Sequence, residues 1–286
     1  MNWFRWTTCA LLLGINSGIS AASDVARSGT IRIGLPPLVH DNETDFYDRW
    51  RTYLEQRLRH PVTLVHGTRC RELVRALRND DVDFAWICGS NFVANERSLD
   101  VVAMPLFRGE PLERSYIIVP ASDTTTKSLL DLRGRVFAYS DPDSVAGYLY
   151  TQYALIQQRQ KPSSFFAKTF FTGGIGKTVE AVAAGLAQGG AVDSCAWEGM
   201  SRMQPELTAR TRVVEKSPPF GHMPFVARRA TSPVTIAAMR KVLVGMSGDA
   251  EGRELLVKMN FDGFAAGDRR LYGSIGAMMA VVDDAQ

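Results

Sequence analysis

Residues 135–160 read RVFAYSDPDSVAGYLYTQYALIQQRQ, a stretch in which a strand hands directly over to a helix. Val136 to Tyr139 form a short apolar run, Pro142 stops it, and Asp143 or Ser144 supplies an N-cap. A helix start of this kind presents unpaired backbone N–H groups and the positive dipole end, a site for an anion or a polar group in a crevice. The second chemically capable set is thiol. Cys70, Cys88 and Cys195 remain once a leader containing Cys9 is set aside, and an odd count leaves at least one thiol outside an intrachain disulfide. Cys88 ends the strand-like DFAWIC, at the edge where open α/β sheets hold ligands. Thiolates select soft acceptors such as Cu(I), Hg(II) or a trivalent metalloid.

Catalytic arrangements are missing from the sequence. Gly173 to Thr178, GGIGKT, ends like a phosphate loop, but the glycine required five residues before Gly176 is Phe171. His40, His60, His66 and His222 lie in no catalytic motif, and neither G-x-S-x-G nor H-E-x-x-H occurs. The expectation is a non-enzyme that needs no cofactor. A net charge of +3 over mixed signs, with no Lys/Arg stripe, argues against nucleic acid as a partner.

The elements that must position these residues alternate. Strands are expected at 30–35, 62–65, 83–88 and 101–107, with helices at 45–60 and 70–77 between the first three. Residues 115–120 leave this unit. A second unit follows, with strands at 135–139, 168–172 and 191–194 and helices at 144–160 and 175–188. Residues 211–216 and 224–228 return, and helices at 233–248, 251–260 and 271–284 close the chain. The alternation predicts α/β architecture with mostly parallel sheets. The 286 residues, 45% hydrophobic, suffice for two lobes. Residues 1–22 read as a secretory signal, with Arg5, an apolar run from Cys9 to Ile15 and Ser20-Ala21-Ala22 at the cleavage point, so export is expected.

Four stretches in order, VDFAWICG, DLRGRVFAYSDPDSVAGYLY, FFAKTFFTGG and GGAVDSCAWE, resemble the phosphate/phosphonate-type periplasmic substrate-binding proteins over nearly the whole mature chain. That resemblance implies a two-lobed type II periplasmic binding fold with the ligand cleft between lobes. It implies a discontinuous lobe I of 23–114 plus 225–286, and a lobe II of 115–224 reached by two hinge crossings. The expected protein is a periplasmic monomer whose membrane partner is an ABC permease or a histidine kinase.

The chain departs from the family pattern where the ligand should sit. Hydroxyl residues expected after D-P-x are reduced to Ser144, followed by apolar Val145 and Ala146, and Ile175 stands where the family often has histidine. Cys70 and Cys195 fall where similar proteins commonly have tyrosines. Together with Cys88 they suggest a three-thiol site for arsenite or antimonite, like the family's arsenite-sensing members, with Ser144 orienting a hydroxyl and His222 as a further soft ligand. Asp193 either hydrogen-bonds the ligand or caps the helix at Ala196. Competing readings stand beside these: Cys70 on a buried helix face, two cysteines in a disulfide, His222-Met223 as plain hinge loop, and a phosphonate, phosphite or phosphate carrier for an ABC importer.

Overall fold

The computed structural model describes Met1, residues 29–36 and residues 44–285. The rest of the expected signal at 1–22, and His40, lie outside the described residues. The strands in chain order are β1 (Ile31–Leu35), β2 (Val62–His66), β3 (Phe84–Trp86), β4 (Leu99–Leu106), β5 (Leu112–Glu113), β6 (Ser115–Pro120), β7 (Val136–Tyr139), β8 (Lys168–Phe171), β9 (Gly189–Asp193), β10 (Thr211–Lys216), β11 (Phe220–Gly221), β12 (Phe225–Arg228) and β13 (Gly263–Ala266). They form a six-stranded sheet ordered β13-β4-β12-β3-β1-β2 and a five-stranded sheet ordered β10-β6-β9-β7-β8. Each sheet with its helices is one lobe.

The early part of each lobe is built from parallel crossovers: β1 pairs with β2 and β3, and β7 with β8 and β9, all in parallel. Other pairings are antiparallel: β12 with β3 and β4, β13 with β4, β6 with β9, and β10 with β6 at the edge of the second sheet. The sheets are therefore mixed, with a larger antiparallel share than alternation alone implies; β6 and β12, next to the crossings, arrive without a crossover helix.

The crossings themselves pair. β5 lies between β4 and β6 in the chain, β11 between β10 and β12, and the two form a short antiparallel ribbon, Phe220 opposite Glu113 and Gly221 opposite Leu112. With two residues per strand, this ribbon holds few main-chain bonds.

Apolar periodicity explains the layers. The helix Thr44–Leu58 turns Phe46, Trp50, Tyr53, Leu54 and Leu58 inward onto one face of the first sheet. The helix Cys70–Arg78 buries Leu73, Val74 and Leu77 on the other. That second cluster reaches beyond its own lobe: Val145, Ala146, Leu149 and Tyr150, from the lobe holding the five-stranded sheet, pack with Phe92, Tyr272 and Ile275. No helix among the described residues is long and apolar enough to cross a membrane.

Candidate functional site

The strand β7 ends at Tyr139 and the turn delivers Ser144 to the N-cap position as expected. Its hydroxyl is already engaged, accepting from the Gly147 N–H at 2.9 Å, while its own N–H donates to the Asp141 carbonyl at 3.1 Å. The first turn is wide, with Leu149 N–H donating to Ser144 O at 3.1 Å before the regular helix Tyr150–Gln157 begins. Gly147 makes this geometry possible: a Cβ there would stand 1.7 Å from Ser140 Oγ.

The other lobe closes over this helix start. Val145 and Ala146 are 4% and 1% exposed, and Val145 faces Gly89 at the start of the helix Gly89–Ala94. Arg71 reaches Asp143 with two bonds, Nε at 3.0 Å and a terminal nitrogen at 2.7 Å, and Ser90 Oγ donates to the Asp143 carbonyl at 2.6 Å. Val145 and Ala146, expected to contact ligand, are instead buried in an apolar cluster with the facing lobe, while Ser144 is half-buried and caps its own helix start. Apolar side chains at a helix start bury themselves when a facing helix start offers apolar surface.

The three-thiol site is not formed. Cys70 and Cys88 are joined in a disulfide with their Cα atoms 5.8 Å apart, because the helix starting at Cys70 and the helix capped by Cys88 begin side by side. Cys88 N–H also donates to Cys70 Sγ at 3.0 Å. Cys195 is the free cysteine among the described residues. It is buried, its thiol lies 3.7 Å from the Asn260 carbonyl, and burial pushes its pKa up, so it stays a thiol. No group of three or more His, Cys, Asp or Glu among the described residues is placed to hold a metal, His222 included.

Space for a ligand opens elsewhere. A cavity of about 110 Å³ lies between the lobes. Phe46, Tyr47, Trp86 and Phe261 form its wall on the first lobe, with Met223 and Met259. Ile175, Ala196, Gly199 and Met203 face them from the second. Its polar residues are Asp193, Cys195, His222 and Asn260. No Lys or Arg among the described residues lines it.

Each polar group has a structural cause. β9 ends at Asp193, whose carboxylate accepts from Ala196 N–H at 2.8 Å and caps the helix Ser194–Met203; the capping alternative is the one adopted. Asn260 takes the left-handed conformation just after the helix Ala250–Met259, and its amide nitrogen donates to the Cys195 carbonyl across the cleft at 2.7 Å. Trp86 Nε1 donates to Met223 O at 2.9 Å, anchoring the return crossing. His222 is 3% exposed, and neither ring nitrogen has a hydrogen-bond partner. Behind it, Glu113 of β5 is 5% exposed, its Oε2 3.8 Å from His222 Nε2.

Burial dominates the electrostatics. It holds His222 down to about 3, so the ring is neutral at physiological pH. It raises Glu113 strongly, helped by the negative charge of Asp193, and raises Asp193 as well. Asp193, Cys195 and His222 were legible as candidates in the sequence, and all three reach the cavity. Glu113, Tyr47, Phe261 and the methionines were not; only Asn260, an asparagine directly after a helical run, carries a local sequence signal.

Solved structures share this architecture. The chain superposes on a binding protein component of an ABC phosphonate transporter from Pseudomonas aeruginosa with TM-score 0.79 and 20% identity, covering 90% of this chain and 87% of that one. A Prochlorococcus marinus protein in complex with methylphosphonate gives 0.81 and 18%, covering 90% and 99%. A Xanthomonas citri protein bound to chloride gives 0.73 and 20%, covering 89% and 99%. At these identities the likeness is one of fold: the two-lobed type II periplasmic binding architecture. A family model described as the periplasmic substrate-binding protein of phosphonate ABC transporters matches residues 34–272. That span takes in both sheets, the paired crossings and nearly all of the cavity wall, and the chain belongs to this family of periplasmic substrate-binding proteins.

Proposed function

We propose that this chain is the exported solute-capturing subunit of an ABC importer, holding a small solute between its lobes and presenting the closed form to a membrane permease. The observation that carries the reading is the cavity with walls from both lobes, beside the ribbon of β5 and β11 about which they would turn. Residues 23–114 plus 225–286 move in this reading as one body and 115–224 as the other. Closure is held by contacts that span the cleft: Arg71 to Asp143, Ser90 to Asp143, Asn260 to Cys195, and Arg108 to Glu198 at 2.5 Å. The family supports a permease as partner; nothing here favours a histidine kinase or a metalloid ligand.

The test reconstitutes phosphonate-type ABC permeases of the source organism in vesicles and measures ATP hydrolysis with and without the mature chain. Stimulation by the chain is expected. Hydrolysis indifferent to it overturns the importer reading. Fluorophores on Leu186→Cys and Val257→Cys, two exposed positions on opposite lobes, report closure in the same samples.

A further inference from the structure

The cavity has a chemistry of its own, distinct from oxyanion capture. An oxyanion needs donors or cations directed at its oxygens, since unpaired anionic oxygens are costly to bury. Three donors of the wall are engaged, Trp86 Nε1 with Met223 O, Asn260 Nδ2 with Cys195 O, and the Ala196 N–H with Asp193, and no Lys or Arg among the described residues lines it. The helix start at Ser144, the other place for an anion, is filled by Val145 and Ala146.

A cationic solute meets the opposite difficulty. The one carboxylate on the wall, Asp193, is engaged with the Ala196 N–H at its helix start, and Glu113 stands behind His222 and not on the wall, so no free counter-charge faces the cavity. What the wall offers is apolar: four aromatic rings and three methionines, suited to dispersion and sulfur–aromatic contact. His222 is the exception, a nine-tenths-buried ring with two nitrogens lacking partners, a state that native structures rarely leave unexplained. The size of the cavity is also informative: an apolar cavity of about 150 Å³ holds benzene with its six heavy atoms, so about 110 Å³ suits roughly four.

We propose that the interlobe cavity takes a small uncharged solute of about four heavy atoms, apolar over most of its surface and carrying one hydrogen-bonding group that pairs with His222. This rests on the solute-capture reading above and assigns its substrate class. The aromatic wall grips the body of the solute, and lobe closure removes it from water.

2-Propanol, methylphosphonate and tetramethylammonium are the probes, used with the mature chain at pH 7 in thermal-shift and calorimetric titrations. 2-Propanol, with four heavy atoms, is expected to raise the Tm at millimolar concentration through mass action. Binding is expected to weaken about tenfold in His222→Phe and to vanish in Ala196→Phe, which fills the cavity. Ile175→Trp fills it from elsewhere on the same wall if Ala196→Phe folds poorly. Binding of methylphosphonate or tetramethylammonium without 2-propanol overturns the substrate class while leaving solute capture intact. 2-Propanol binding unchanged by the filling variants overturns the location. No response to 2-propanol overturns the proposal outright, and the permease assay then decides separately whether solute capture falls with it.

Discussion

Two neighbouring strands of the second sheet, β7 and β9, each end in a capped helix start, yet the two starts do different things. Ser144 Oγ accepts from Gly147 N–H at 2.9 Å and Asp193 Oδ1 from Ala196 N–H at 2.8 Å, so locally the devices are equivalent. After Ser144 come Val145 and Ala146, which meet Gly89 and Ile275 of the facing lobe and leave no room. After Asp193 come Cys195, Ala196 and Gly199, small residues that meet Trp86, Phe261 and Asn260 across a gap. A helix start becomes a site only when the opposing surface stands off from it.

This contrast can be broken from the packed side. The disulfide of Cys70 and Cys88 pins the segments carrying Arg71 and Ser90 against Asp143. Cys70→Ala/Cys88→Ala is expected to lower unfolding free energy by about 3 kcal/mol in denaturant titration, from the loop it closes. The same pairing means that the native mature chain exposes no reactive thiol and yields one on denaturation without reductant; three would show that the bridge does not form. Gly147→Ala drives a methyl into Ser140 and is expected to cost about 2–3 kcal/mol, partly recovered in Gly147→Ala/Ser140→Ala. Val145→Ser, which restores a hydroxyl of the kind the family carries, is expected to cost about 2 kcal/mol because the group enters an apolar cluster. If it instead confers methylphosphonate binding without loss of stability, the packed start is a dormant oxyanion site.

The open side is sharpened by pH. His222 is held below its unfolded value, so the unfolded chain takes up a proton first as pH falls. The stability linked to the neutral ring is full above about 6.5 and lost progressively between about 6.5 and about 3, with a slope of up to about 1.4 kcal/mol per pH unit. His222→Phe is expected to flatten that limb of a Tm-against-pH curve. Glu113 is shifted the other way: its contribution is present below about 4.5 and lost as pH rises toward its raised folded value. Glu113→Gln is therefore expected to hold stability on the neutral side, where the wild type declines. The smallest effect is expected from Arg71→Ala, a half-exposed pair worth about 0.5–1 kcal/mol, whose readout is a larger radius of gyration in scattering as the lobes part.

Much of the architecture was readable because it is periodic. The inward stripe of Phe46, Trp50, Tyr53 and Leu54, and the capping positions Ser144 and Asp193, announce themselves within a few residues. The paired crossings did not: β5 and β11 contribute two residues each, too short for any pattern, and their pairing joins Glu113 to Phe220 across more than a hundred residues. β13 was missed for the same reason, a four-residue GFAA after a helix whose pairing with β4 is entirely long-range.

The site shows the same division. The sequence offered Asp193 at a strand end, and its family resemblance offered Cys195, as cleft residues, with His222 open between soft ligand and hinge loop; all three line the cavity. The sequence also set the residue types, apolar at 145, 146 and 175, that weaken an anion site. Only the tertiary structure decided that Cys70 meets Cys88 and not Cys195, that Val145 fills its cleft while Ala196 leaves one open, and that Glu113 stands behind His222. Each of those depends on the distance between surfaces remote in the chain, and a cavity, a disulfide or a buried acid's charge state is a property of that distance.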